Sequence, residues 1–268
     1  MNISVYLYGL GTMVVLALLT WLLSVLKRDV SIVDSIWSLM ILTGGITYAI
    51  GAGVEGGHSF IILWLLVAWA LRLSGYLTWR NWGQPEDRRY RQMRDKYSPH
   101  FALKSLGLVF ILQAVLAWII SMPLWPALSI GAAGLQWLEV AALVLVLVGL
   151  GMESAADWQM ARFQADPGNR GRVMNSGLWR YSRHPNYFGE ALVWWGYYLF
   201  ALAAGAWWTL PAPLLMTWLL LKFSGVVMLE KDITERRPAY RRYKQTTNAF
   251  IPGPPKATAD TVNGGRTL

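Results

Sequence analysis

The chain has 268 residues, of which 55% are hydrophobic and only 15% charged, and its formal net charge is +9. A soluble domain would carry about a quarter charged residues, so the composition excludes an ordinary soluble protein and indicates a membrane protein. The absence of cysteine excludes disulfides, a thiolate nucleophile and cysteine-based metal sites.

Seven apolar runs are each long enough to cross a bilayer as a helix, which takes about 20 residues. They cover residues 5–26, 35–54, 59–79, 104–125, 134–152, 187–206 and 210–229. The first is a retained span rather than a signal peptide, because its apolar run is too long and no Lys or Arg precedes it. The sequence therefore predicts an all-α polytopic membrane protein, with a single seven-helix domain over residues 1–252 and a disordered, Pro/Gly-rich tail over 253–268.

All but two of the 24 Lys and Arg residues lie on the same side of this topology. Cytoplasmic loops collect Lys and Arg, so we expect the N-terminus outside and the C-terminus in the cytoplasm. The same distribution argues against nucleic-acid binding, because topology already accounts for the positive charge. The two exceptions, Arg72 and Lys222, either snorkel to the interface or face a polar cavity.

Three predicted cytoplasmic segments combine arginines with aromatic side chains: residues 80–104, 153–190 and 230–252. Guanidinium forks match phosphate groups, and aromatic faces stack on purine or nicotinamide rings. For the first and third segments, attachment to the anionic lipid surface is an alternative interpretation. Together the segments predict an entrance where a phosphorylated, water-soluble cofactor meets a lipid-soluble substrate.

A polar stripe is predicted on the sixth span, where Asn186, Glu190 and Trp194 recur at four-residue intervals. We expect Asn186 to cap this helix. Glu190 lies about one turn inside the membrane, where a carboxylate is costly unless it is partnered or hydrated. It either serves a site or pairs with Arg180 or Arg183 to hold the helix in place.

Four segments resemble bacterial membrane proteins of the steroid 5-alpha-reductase-like family, which are close to the C-terminal domain of 3-oxo-5-alpha-steroid 4-dehydrogenases. They are RDVSIVDSIWSL (28–39), ADWQMARF (156–163), GLWRYSRHPNYFGE (177–190) and YRRYKQTTNAFIP (240–252). The likeness to the characterised steroid reductases is concentrated in about residues 150–252. It implies seven membrane helices and an NADPH site that opens to the cytosol.

The resemblance also implies site residues. Cofactor contacts are expected from Asp157, Arg172, Asn186, Glu190, Trp194 and either Tyr240 or Tyr243 with a neighbouring arginine, and the arginine-rich loops add Arg162 and Arg180. Arg72 matches a buried arginine of the family, and Trp69 stands where the steroid reductases place a tyrosine proton donor. With Asp34 and Trp37 at the mouth of the second span, these two residues form the expected substrate side.

The predicted function is that of an NADPH-dependent oxidoreductase acting on CH–CH groups. Hydride would pass from the nicotinamide to the carbon beta to a carbonyl in a lipophilic, steroid- or isoprenoid-like substrate. A preorganised donor should stabilise the charge on the carbonyl oxygen. The candidates are Tyr76, Tyr187 and Tyr197, and we expect Tyr76 or Tyr187, with Glu190, in the catalytic role. We expect no metal, and we expect the site to face the cytoplasm from a bacterial inner membrane.

Two other functions remain open at this stage. The first is an S-adenosylmethionine-dependent membrane methyltransferase of the isoprenylcysteine or phospholipid type, because those enzymes carry a stretch similar to RHPNYFG. The second is a transporter or assembly protein, which seven spans with one polar entrance also fit. The sequence has no glycine-rich phosphate loop that would decide between them.

Overall fold

The computed structural model describes residues 2–54, 56–129, 136–223, 230, 233 and 237–256. These residues are helical with short turns and contain no β-strand. The helices are α1 (Ile3–Lys27), α2 (Ile32–Ala52), α3 (Gly57–Asn81), α4 (Arg88–Lys96), α5 (Phe101–Ile120), α6 (Leu124–Ser129), α7 (Trp137–Ala165), α8 (Pro185–Ala203), α9 (Pro211–Trp218) and α10 (Ala239–Thr246). Helix α5 contains a π-helical segment, Leu106–Ile111, and α9 continues as another, Leu219–Phe223.

Five of the helices are long and apolar enough to cross a membrane: α1, α2, α3, α5 and α7. They correspond to the first five predicted spans, so the chain is an all-helical, multi-pass membrane protein. The sixth predicted span corresponds to α8, which is not among the five. The seventh begins with α9, and its residues 224–229 lie outside the described residues.

Backbone contacts divide the chain into two compact units, and each is described by itself. Unit 1 comprises residues 1–140 and 197–212, and unit 2 comprises residues 141–196 and 213–268.

Stacked aromatic residues hold α1 against α5 and α6 in unit 1. The ring of Tyr6 stacks on Trp118 and Trp125, with centroid distances of 4.5 and 5.0 Å. The Tyr6 hydroxyl donates to Trp118 O, and Trp118 Nε1 donates back to Tyr6 O, both at 3.0 Å. Tyr48 of α2 joins the cluster through a 2.9 Å hydrogen bond with Ser121 Oγ. The side-chain polar atoms of Tyr6, Trp118 and Tyr48 are therefore satisfied within the protein, as an apolar environment requires.

In unit 2, α7 and α8 cross at backbone contact. A Cβ on Gly189 would lie 2.7 Å from Gly149 O, and a Cβ on Gly149 would lie 2.6 Å from Gly189 O. Seven residues further along α8, a Cβ on Gly196 would lie 3.0 Å from Ala142 O. Small residues are typical of closely packed helices in membranes. The glycine of RHPNYFGE therefore serves helix packing, and the crossing fixes the start of α8 beside α7.

Candidate functional site

The C-terminal segment of unit 2, residues 237–256, pairs with the loop that precedes α8, residues 166–184. Ser182 and Asn248 form a parallel β-bridge, and Arg183 N donates to Asn248 O at 2.9 Å. The Ser182 hydroxyl adds a 2.7 Å hydrogen bond to Phe250 O. These bonds join stretches of chain that are more than 60 residues apart in sequence.

Residues 253–256, which belong to the predicted disordered tail, are held against the same unit. Gly253 N donates to Tyr181 O at 3.0 Å, and Lys256 N donates to Thr246 O at 2.8 Å. The rest of the predicted tail lies outside the described residues.

The residue after Ser182 of the bridge, Arg183, belongs to a buried ion pair. Arg183 Nε lies 2.6 Å from Glu230 Oε1 and Arg183 Nη2 lies 3.1 Å from Glu230 Oε2, and neither side chain is more than 7% exposed. Arg183 Nη1 donates to the main-chain carbonyls of Lys244 and Thr247, at 3.0 and 2.6 Å. Arg183 thus pairs with Glu230, which corrects the alternative that paired it with Glu190.

Glu230 is the centre of a network that consists of the side chains of Arg183, His184, Tyr240 and Lys244. Its Oε1 also contacts His184 Nε2 and the Tyr240 hydroxyl, both at 3.2 Å, and its Oε2 lies 3.3 Å from Lys244 Nζ. Burial alone would raise the pKa of Glu230, but hydrogen bonds from His184 and Arg183 outweigh burial and lower the pKa to about 2. At neutral pH the network therefore contains a carboxylate ion.

An arginine-rich cleft of about 530 Å³ lies in unit 2. One wall comes from the loop before α8 and the other from the C-terminal segment: Arg172, Val173, Asn175 and Arg180 on one, and Ala239, Arg242, Tyr243, Thr246, Thr247 and Pro255 on the other. Three guanidinium groups and no carboxylate are among these described lining residues. The volume is typical of small-molecule sites, and the charge suits an anion, with phosphate matching the guanidinium forks best.

Three of the predicted cofactor residues line this cleft: Arg172, Arg180 and Tyr243. Tyr240, the other candidate of that pair, donates to Glu230 instead. Burial raises the pKa of both tyrosine hydroxyls above the ordinary value, so each remains a proton donor at neutral pH. The Tyr243 hydroxyl donates to Trp179 O, which orients the ring.

The predicted polar stripe on α8 is present. Trp194 Nε1 donates to Glu190 Oε1 at 3.0 Å, and Asn186 Nδ2 donates to Asp157 Oδ1 at 3.1 Å. The predicted cap was wrong, because α8 begins at Pro185 and Asn186 lies inside its first turn. Proline suits a first helical position, since its fixed φ is already helical and its missing N–H has no partner to lose.

Neither the residues of the α8 stripe nor Asp157 line the cleft, and the same holds for Tyr187 and Arg162. The Tyr187 ring stacks on His184 with a centroid distance of 5.5 Å and an interplanar angle of 6°. Arg162 is exposed on α7, with its guanidinium 4.8 Å from the Trp158 ring centroid.

In unit 1, Asp34 ties α4 to the first turn of α2. Arg89 Nη2 donates to Asp34 Oδ2 and the Tyr90 hydroxyl donates to Asp34 Oδ1, both at 2.7 Å. Burial and the Asp34 carboxylate raise the pKa of Tyr90 well above its ordinary value, so its hydroxyl stays protonated. Both carboxylate oxygens of Asp34 are therefore already engaged within the unit.

The other predicted residues of unit 1 lie along α2 and α3. Trp69 is fully buried, and Arg72 is partly buried. The indole N–H of Trp37 is buried with no hydrogen-bond partner among the described residues. Tyr76 lies near the end of α3, with the Arg80 guanidinium 5.8 Å from its ring centroid.

Sequence reasoning left one feature of the site open and missed another. Arg242 lines the cleft, whereas the sequence predicted only an arginine beside Tyr240 or Tyr243, without deciding which one. The partnership of Arg183 and His184 with Glu230 crosses 47 and 46 residues. The sequence offered one hint of this partnership: Glu230 ends the predicted span 210–229, and the RHP stretch (183–185) precedes the predicted span 187–206 at the same membrane face.

Comparisons with known proteins identify a family. A family model described as a protein of unknown function (DUF1295) matches residues 20–247, which include every cleft residue except Pro255. An uncharacterized protein of Schizosaccharomyces pombe is 27% identical over 287 aligned residues, covering 94% of this chain and 80% of the yeast protein. No solved structure matches the chain.

Proposed function

The chain belongs to the DUF1295 family, and we propose that it is an NADPH-dependent membrane reductase of an activated C=C bond in a lipophilic, steroid- or isoprenoid-like substrate. One observation carries the proposal: the cleft of unit 2 gathers three guanidinium groups with no carboxylate among its described lining residues. The resemblance of residues 177–190 to the steroid 5-alpha-reductase-like family supports the same conclusion.

The donor set of the cleft fits a phosphorylated dinucleotide. Arg172, Arg180 and Arg242 would hold its phosphates. A 2′-phosphate adds about two negative charges at neutral pH, which favours NADPH over NADH in a site of this charge. When bound, the dinucleotide supplies the hydride.

The residues of α8 would orient the reacting groups. Glu190 is buried and receives the Trp194 indole N–H, so its carboxylate is held in one place and can position a donor or the nicotinamide amide. Tyr187 and Tyr76 are the proposed proton donors to the substrate carbonyl. Asp34, Trp37, Trp69 and Arg72 remain the proposed substrate residues.

Seven spans with the N-terminus outside complete the proposal. Helix α8 and the helix that begins at Pro211 would supply the sixth and seventh spans. The arginine-rich loops would then face the cytoplasm, where NADPH is found, and we place the protein in a bacterial inner membrane. The charge distribution along the sequence supports this orientation.

The methyltransferase is the second candidate, and the RHPNYFG stretch favours it. S-adenosylmethionine has no phosphate, and its sulfonium and ammonium cations outnumber its one carboxylate, so three guanidinium groups suit it less well than a phosphorylated dinucleotide.

The decisive experiment compares ligands on the purified protein in detergent. A ligand that binds the folded state raises its apparent stability, by about 2.7 kcal/mol at a concentration 100 times its Kd. We expect NADPH to raise the midpoint of thermal unfolding, NADH to raise it less and S-adenosylmethionine to leave it unchanged. Stabilisation by S-adenosylmethionine alone would establish the second candidate instead.

A further inference from the structure

Arg183 lies between the two walls of the cleft without belonging to either. It follows Arg180, which lines one wall, by three residues, and it donates through Nη1 to two carbonyls of the other wall. Those carbonyls belong to Lys244 and Thr247, at the end of α10. Thr247 itself lines the cleft.

The carbonyl groups at the C-terminal end of a helix need hydrogen-bond donors from outside the helix. The last carbonyls of an α-helix have no intrahelical donor, and a cation near them is favourable because of the helix dipole. Arg183 meets both needs for α10, and its own charge is neutralised by Glu230 at 2.6 Å. The side chain therefore fixes the segment that carries Thr246 and Thr247 relative to the loop that carries Arg180.

We infer that Arg183, held by Glu230, is a positioning residue for the cleft: it sets the spacing of the two walls without touching the ligand. The choice of NADPH as probe rests on the proposed function, but the inference about the walls does not. A residue that only stabilised the fold would affect ligand binding only through overall stability.

The test separates these two roles by removing both buried charges together. Arg183→Met alone leaves the Glu230 carboxylate in a buried site without its main partner, which destabilises strongly. Arg183→Met with Glu230→Gln removes both charges and keeps an amide oxygen that His184 and Tyr240 can still bind. We expect this double variant to recover most of the thermal midpoint that the single variant loses.

Two further readouts decide the inference. In the double variant we expect amide hydrogen exchange at residues 244–248 to be at least tenfold faster than in the wild type. We also expect NADPH to bind at least tenfold more weakly. A double variant with recovered stability, wild-type exchange and wild-type affinity would overturn the inference.

The control is Lys244→Met. This substitution removes the half-exposed contact of Glu230 at 3.3 Å but leaves the Lys244 carbonyl in place. It should change neither exchange at residues 244–248 nor NADPH affinity.

Two other results have defined meanings. If the wild type does not bind NADPH, the proposed function fails, and the exchange comparison still decides the inference. If the double variant does not fold, Arg183→Lys replaces it, because one ammonium cannot reproduce the fork to Glu230 and both carbonyl bonds. Faster exchange at residues 244–248 in that variant supports the inference, and unchanged exchange overturns it.

Discussion

At the scale of single residues, neighbouring arginines of unit 2 have different roles. Arg183 is buried and paired, whereas Arg241 and Arg242 are both exposed and only Arg242 lines the cleft. Their chemistry is the same, so the difference comes from burial and from the direction that the backbone gives each side chain.

The pair Arg242 and Arg241 provides a matched test of the cleft. Arg242→Ala removes a guanidinium that we expect to contact phosphate, and hydrogen bonds to charged groups contribute about 1.5–3 kcal/mol. We therefore expect NADPH affinity, measured by titration in detergent, to fall about 10- to 100-fold. Arg241→Ala should leave it within about twofold, and equal losses in both variants would refute the role of the cleft.

The pKa of Glu230 predicts a dependence of stability on acid. A carboxyl whose pKa is lowered in the folded state, here from 4.5 to about 2, stabilises the fold fully above the unfolded value. That contribution is lost as the pH falls from about 4.5 to about 2. We expect the thermal midpoint of the wild type to fall across this window and that of Glu230→Gln to fall less.

The control for this acid effect is Asp95→Asn, which removes an exposed carboxylate of α4. In this variant the thermal midpoint should fall with decreasing pH as steeply as in the wild type. If the thermal midpoints of the wild type and Glu230→Gln fell equally over this pH range, the Glu230 network would contribute nothing to the loss of stability in acid.

At the scale of elements, glycines let α7 and α8 approach until their backbones touch. Gly149 and Gly189 face each other at this crossing, and the α8 stripe of Glu190 and Trp194 begins immediately after Gly189. The position of the stripe therefore depends on how closely the two helices pack.

Gly189→Ala should disturb this crossing. The new Cβ would lie 2.7 Å from Gly149 O and 2.8 Å from Glu153 N, and backbone atoms cannot move aside as a side chain can. Overpacking typically costs about 1–3 kcal/mol, so we expect a lower thermal midpoint in detergent.

A second glycine of α7 serves as the control for that variant. A Cβ on Gly151 meets no atom within 4 Å. Gly151→Ala should therefore match or exceed the wild type, because alanine has the higher helix propensity. A Gly189→Ala variant as stable as Gly151→Ala would show that the helices separate without cost.

At the scale of the whole molecule, five apolar helices establish a multi-pass membrane protein, while the orientation rests on charge. The natural chain contains no cysteine, so single cysteines can report the side of each loop without background. We expect Gly57→Cys to react with a membrane-impermeant maleimide in intact cells. Gln92→Cys should react only after lysis, and the reverse pattern would invert the topology.

Much of the architecture could be predicted from the sequence, because it depends on local rules. A membrane span needs a long apolar run, and such runs coincide with α1, α2, α3, α5 and α7. The Glu190–Trp194 contact could also be predicted, since residues four apart share a face of any helix. Prediction failed at the start of α8, which begins at Pro185, so Asn186 is not the cap. Asparagine favours the N-cap position and proline favours the first helical position, so the adjacent pair does not define where the helix begins.

The sequence by itself determined the membrane class, the positions of the long helices and the arginine-rich composition of the loops. Only the tertiary structure decided that Arg183 pairs with Glu230, that Arg242 rather than Arg241 lines the cleft, and that Arg89 binds Asp34. Helices form through hydrogen bonds between residues close in the chain, so their pattern is readable locally. Partners 47 or 55 residues apart are selected by how the helices pack, which no local pattern specifies.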